Sequence, residues 1–97
     1  MSAPKYQLVI TKPAEADITD ILSYTLEVWG DKQLVIYQDA LDDAFRTLND
    51  TPKIGRSRYG YLVYPVKEHK IFYHLEENTV YISRILHKRM DAMRHLP

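Results

Sequence analysis

No cysteine occurs among the 97 residues, which removes disulfides, thiolate metal sites, iron–sulfur clusters and cysteine nucleophiles together. Four histidines are then the only soft ligands. Glycine is scarce: Gly30, Gly55 and Gly60 are scattered, and none belongs to a GxxxxGK or GxGxxG loop of the kind that cradles phosphates. No uncharged run approaches the about 20 apolar residues that a transmembrane helix needs. Residues 1–12 lack the long apolar stretch and small-residue cleavage site of a secretory signal, so the expectation is a cytosolic protein without membrane contact. Repeats, linkers and low-complexity tracts are missing as well. A chain this short buries roughly 60–65% of the surface that its unfolded form exposes, which is enough for one core and implies a single domain over residues 1–97.

What is present is ordinary in bulk, with 45% hydrophobic, 27% charged and 11% aromatic residues, but uneven along the chain. The formal net charge of +0 conceals three blocks. Residues 1–12 carry Lys5 and Lys12, +2. Residues 13–51 set nine acids against Lys32 and Arg46, −7, and residues 52–97 set nine bases against Glu68, Glu76, Glu77 and Asp91, +5. Such asymmetry fits a bipolar surface with one face for a basic partner and one for an acidic partner, and it equally fits solvated helix faces.

Tyr6 to Thr11 alternates in strand fashion and opens the fold. Pro13 suits the first turn of a helix capped by Thr11, and Ala14, Ile18, Ile21, Leu22, Thr25, Leu26 and Trp29 form one stripe of a 3.6-residue period. On this pattern Trp29 reads as core. Gly30 ends that helix in the left-handed region, and Asp31 reads as the cap of a second one over Lys32 to Asn49. Its buried face is Leu34, Tyr37, Leu41, Ala44, Phe45 and Leu48, and Pro52 marks its stop. Lys53 to Arg58 reads as a basic turn. Tyr59 to Val66, His69 to Leu75 and Thr79 to His87 follow as strands, Pro65 arguing for an edge or a bulge and Asn78 for a hairpin turn at positive φ. The predicted order is βααβββ: an α+β fold with a helical hairpin packed on a mainly antiparallel four-stranded sheet. Met90 to Leu96 adds a last helical turn or a tail.

The spacing of the histidines argues against a metal site. His69 and His74 differ by an odd number of positions in one strand and point to opposite faces, and no HExxH spacing exists. No cofactor is implied. Asp42-Asp43 lies on the wet side of an amphipathic helix and reads as a solvated face. The unusual concentration is C-terminal: Arg84, His87, Lys88, Arg89 and Arg94, with Met90 and Asp91 among them. Guanidinium groups grip phosphates bidentately and histidine moves protons near neutral pH, so an RNA phosphodiester site is chemically open there. A strand end carrying solubilising charge, with Arg84 paired to an acid across the sheet, accounts for the same residues. Eight tyrosines are more than so small a core buries with every hydroxyl satisfied, so several are expected at a surface or interface.

Taken in order, Ala16-Asp17-Ile18 to Ile21, Tyr24-Thr25, Trp29-Gly30, Tyr37, Phe45, Leu48, Pro52, Gly55-Arg56, Phe72-Tyr73, Arg84-Ile85-Leu86-His87, Met90-Asp91 and His95-Leu96 give a pattern that resembles the ParE branch of the RelE/ParE toxins over nearly the whole chain. The resemblance implies the toxin of a type II toxin–antitoxin system, neutralised by a ParD-like antitoxin and poisoning DNA gyrase by protein contact, with no turnover and no sequence-specific nucleic acid. Arg84, His87, Lys88, Arg89, Met90, Asp91 and Arg94 are then the expected target-binding residues. The alternative from the RelE branch is a ribosome-dependent messenger RNA endonuclease, with His87 as acid or base and Arg56 or Arg84 stabilising phosphorane charge; a non-toxic relative is a third class. Two departures stand out: Leu62 follows Gly60-Tyr61 where many relatives carry Arg in a GYR-type segment, and the net charge is neutral where relatives are often basic. Association with a second copy or with antitoxin stays open.

Overall fold

The computed structural model describes residues 6–96. Strand β1 (Gln7–Ile10) leads into α1 (Lys12–Trp29) and α2 (Asp31–Asp50), followed by β2 (Arg56–Arg58), β3 (Tyr61–Val66), β4 (His69–Glu76) and β5 (Thr79–His87). Short 3-10 turns at Pro52–Ile54 and Ala92–Arg94 complete the chain. The strands form one sheet in the order β1-β5-β4-β3-β2, antiparallel except for the parallel pair β1–β5. No described helix is long and apolar enough to cross a membrane.

The α+β class and the helical hairpin are as the periodicity predicts, but the sheet has five strands. The added strand is Arg56–Arg58, within the segment read as a basic turn. Three exposed polar residues carry no hydrophobic alternation. Pairing with Tyr61 to Val63 through the two-residue turn Tyr59-Gly60 makes them a strand. Pro65 is tolerated because β2 reaches only to Val63, leaving that flank of β3 open. At the β4–β5 turn the positive φ belongs to Glu77, at 53°, and not to the expected Asn78.

Thr11 joins β1 to α1. Its hydroxyl accepts from Ala14 N–H at 3.4 Å and lies 2.8 Å from the Ile82 carbonyl, to which it donates, so the helix start is fixed to β5. Gly30 closes α1 at φ 88° and ψ −179°, a region that glycine alone enters freely, and it also caps α2. Asp31 is accordingly the first residue of α2 and not its cap.

The main core lies between helices and sheet, built from Ala14, Ile21, Leu41, Ala44 and Leu48 against Ile71, Tyr73, Val80, Ile82 and Ile85. The Tyr73 hydroxyl donates to the Pro52 carbonyl at 2.6 Å and accepts from Gly55 N–H at 2.9 Å, tying the turn after α2 to the sheet centre. A Cβ on Gly55 would collide with the Tyr73 ring, which explains glycine there. On the other face of the sheet Tyr61, Val63, Phe72 and Leu86 form a smaller cluster, covered by Ala92 and Leu96 of the C-terminal segment.

Candidate functional site

The register places a bulge at Ser83, because Phe72 faces Arg84 while Tyr73 faces Ile82. Val80, Ile82 and Ile85 consequently all join the main core. Beyond the last residue of β1, Asp17 of α1 takes over the free edge of β5. Its Oδ2 accepts from Ile85 N–H at 2.9 Å and from Arg84 Nε at 2.7 Å, and its Oδ1 accepts from Arg84 Nη2 at 2.9 Å. This two-point carboxylate grip raises the Arg84 guanidinium pKa above its usual value, burial acting in the opposite sense. Arg84 Nη1 also donates to the His95 carbonyl at 2.9 Å and so anchors the C-terminal segment. Arg84 is paired to an acid, as one of the two sequence readings had it, although the acid belongs to a helix.

The remaining C-terminal residues fan out past the end of β5. Lys88 Nζ lies 2.5 Å from Glu68 Oε2, and the ammonium holds the Glu68 carboxyl below its ordinary range. Asp91 accepts from Met93 N–H at 3.2 Å and lies 3.6 Å from Arg94. Arg89 is exposed and its side chain has no ionic partner among the described residues. The three residues of the nuclease alternative do not converge. Arg56, Val63, Phe72 and Arg84 form one row across the sheet, so Arg56 and Arg84 sit three strand spacings apart, roughly 14 Å. His87 follows the alternation of Ile85 and faces the helices.

On that helix-facing side the strand end opens into a groove of about 730 Å³, bounded by Asp20, Tyr24, Thr25 and Trp29 of α1, Gln33 and Tyr37 of α2, Glu68 and His69, and His87, Arg89 and Met90. Its origin is a mismatch of lengths. Asp17 is level with Ile85, and β5 ends two residues later, whereas α1 continues for twelve residues. At 1.5 Å per helical residue against about 3.3 Å per strand residue, the helix overshoots the sheet by roughly 11 Å. Trp29, predicted as core, is therefore 65% exposed; Tyr24 is 59% exposed and Met90 49%. Leu26 also leaves the core at the end of the stripe.

The floor of the groove is polar. The Tyr37 hydroxyl accepts from Glu68 N–H at 3.3 Å and shares a hydrogen bond with Nδ1 of His69, which ties the His69 ring to α2. The His69 and His87 rings meet edge to face with centroids 5.2 Å apart. Burial, reinforced by His87, pushes the His69 pKa down against the opposing pull of Glu68 and Asp17, and burial pushes Tyr37 up. Because the folded pKa of His69 is depressed, the unfolded chain binds that proton more readily. Stability is then full above the ordinary histidine value of about 6.5 and falls as pH drops through it. Urea melts between pH 7.5 and 5.5 should show the midpoint decreasing, and His69→Gln should flatten that slope. An unchanged slope in the variant would remove His69 as its source.

A family model described as the ParE toxin of the type II toxin–antitoxin system parDE matches residues 8–92. The chain belongs to the ParE toxin family. It is 32% identical over 93 residues to Toxin ParE1 of Mycobacterium tuberculosis, covering 91% of this chain and 95% of that one. To Toxin ParE1 of Caulobacter vibrioides it is 31% identical over 91 residues, 90% and 94% of the two chains. Its fold is that of a chain from the chromosomal ParDE system of Pseudomonas aeruginosa, described as "Chromosomal ParDE TA system from P. aeruginosa", with a TM-score of 0.73 at 14% identity over 88% of this chain and 98% of that one.

Within this ParE-family chain the family-like residues divide by task. Asp17, Gly55, Tyr73 and Arg84 hold the architecture, whereas Tyr24, Trp29, His87 and Met90 border the groove. Leu62, the departure from the GYR-type pattern, packs against the main core. Sequence reasoning missed Tyr24, Tyr37 and His69 as groove residues. The surplus of tyrosines was the available signal for Tyr24, which is 59% exposed, whereas Tyr37 belongs to the core and borders the groove through its hydroxyl.

Proposed function

We propose that this chain is the toxin of a type II pair that arrests growth by contacting DNA gyrase in the cytoplasm without catalysis, and that a ParD-like antitoxin neutralises it by laying an apolar segment into the groove. The observation that carries the antitoxin part is the overhang of α1, which leaves Tyr24, Trp29 and Met90 exposed beside a concave surface. A segment using apolar anchors at helical spacing suits such a groove. Membership of the family supports the toxic role, and the scattered positions of Arg56, Arg84 and His87 favour contact over catalysis.

The target-binding surface in this reading is the C-terminal set Arg84, His87, Lys88, Arg89, Met90, Asp91 and Arg94. Arg84 acts there by anchoring the segment, and Arg89 and Arg94 offer charge to solvent. The Lys88→Glu/Arg89→Glu double variant, with an unchanged circular dichroism spectrum, should abolish growth arrest on induction; retained arrest would reject the surface. Gyrase supercoiling with detection of cleaved DNA, run beside translation-dependent messenger RNA cleavage, tests the target. Trapped cleaved DNA with intact RNA is expected. Cut RNA with untouched gyrase would overturn the gyrase reading.

A further inference from the structure

The groove on the helix side of the sheet contains two histidines, each with one ring nitrogen committed and the other open. His87 Nδ1 accepts from Arg89 N–H at 3.1 Å, so the neutral His87 ring carries its proton on Nε2. His69 Nδ1 is engaged by the Tyr37 hydroxyl. Neither Nε2 has a hydrogen-bond partner among the described residues, and neither is among the buried atoms left unpaired, so both are open to solvent. The rings stand edge to face with centroids 5.2 Å apart, and charge on His87 opposes protonation of His69.

The charges that face this pair come from four places, and most are already committed. Asp17 of α1 is held by Arg84, while Asp20 is exposed at the groove wall. From α2 comes the Tyr37 hydroxyl, which burial keeps protonated. The turn between β3 and β4 brings Glu68, paired with Lys88, and the end of β5 brings Arg89. Burial and His87 together outweigh the pull of Glu68 and Asp17 on His69. Around them the exposed side chains of Tyr24, Trp29 and Met90 form an apolar rim. An apolar segment seated on that rim strips solvent from both Nε2 positions. A neutral imidazole then loses one hydrogen bond, whereas an imidazolium loses the solvation of a charge, which is the larger cost.

We propose that antitoxin binding is coupled to proton loss from the His69–His87 pair, so that acidification loosens the toxin–antitoxin complex. The coupling rests on the reading that an apolar antitoxin segment fills the groove, and adds a regulatory property to it. The covered groove binds the proton less readily than the open one. Affinity is therefore full at neutral pH and above, and falls as pH drops through the titration of the open groove. An antitoxin that placed a carboxylate against the two Nε2 positions would give the opposite sign, binding more tightly at low pH.

The test is titration calorimetry of the full chain with its ParD-like antitoxin at pH 7.5 and 5.5, each in two buffers of different ionisation enthalpy, which counts the protons released. Circular dichroism at both pH values confirms that each protein used is folded. Between these values the wild type should lose about fivefold more affinity than the His69→Gln/His87→Asn double variant, and at pH 5.5 it should release a fraction of a proton that the variant does not. The second substitution keeps an acceptor for Arg89 N–H, and titration of the antitoxin itself is common to both and cancels. Should the double variant not fold, each single variant should show part of the same difference. Equal pH dependence in wild type and variants, or a wild-type affinity that rises on acidification, would overturn the coupling and leave the groove reading standing. Undiminished affinity in Trp29→Ala and Tyr24→Ala would overturn both.

Discussion

Arg84→Ala should lower folding stability by about 3 kcal/mol, which for a domain of this size corresponds to a melting temperature lower by on the order of 15 °C. The guanidinium makes two hydrogen bonds to Asp17 and one to the His95 carbonyl, with side-chain exposures of 24% for Arg84 and 13% for Asp17. Removing it leaves a mostly covered carboxylate with Ile85 N–H as its remaining protein donor. The loss therefore includes the cost of a poorly compensated charge as well as the lost bonds. Partial solvent access keeps the effect below that of a fully buried pair.

Arg84→Lys should recover only part of the loss, because an ammonium cannot make the two parallel bonds. Exchanging the charges, Asp17→Arg with Arg84→Asp, should not restore stability either, since Ile85 N–H would face a donor. Thermal melts of these three variants check the argument. A melting temperature unchanged in Arg84→Ala would mean that the ion pair is incidental to the fold. The consequence for function is direct: loss of toxicity in Arg84→Ala counts as loss of a contact residue only at temperatures where the variant is folded.

The second large effect concerns the groove. Trp29→Ala should weaken binding of a ParD-like antitoxin by about 30-fold or more, the cost of about 2 kcal/mol typical of a central aromatic anchor. Stability should change by no more than about 0.5 kcal/mol, because a residue that is 65% exposed contributes little to the core. Tyr24→Ala should act in the same direction. Trp29 is the only tryptophan in the chain, so its emission should shift to shorter wavelength when the antitoxin covers it. Titration calorimetry with the wild type and both variants decides the matter. Undiminished affinity in both, with no change in emission, would place the antitoxin elsewhere.

That Arg84 governs stability and Trp29 governs binding follows from where each residue lies, and sequence pattern alone pointed the other way. Trp29 continues the apolar stripe of α1 and so reads as core, while Arg84 sits in a run of cations and so reads as a binding residue. The stripe reports which side of a helix is apolar; it does not report how far the underlying sheet extends. Trp29 lies beyond the end of β5 and is left in solvent. Likewise, a charge run shows which side chains carry charge. Only the packing of α1 against the bulged edge of β5 decides that Asp17, 67 residues earlier in the chain, neutralises Arg84.

By itself the sequence determined the α+β class, the helical hairpin with its Thr11 and Gly30 boundaries, most strand positions and the family. These depend on local periodicity, capping chemistry and an ordered set of residues, all written within short windows. The tertiary structure alone decided the fifth strand at Arg56–Arg58, the bulge at Ser83, the close approach of Gly55 to Tyr73 and the division of the C-terminal cations into anchored and free. Each of these depends on groups far apart in the chain meeting at a fixed distance. Polar residues without alternation, such as Arg56 to Arg58, have no preference for a strand until a neighbouring strand supplies the hydrogen-bond partners.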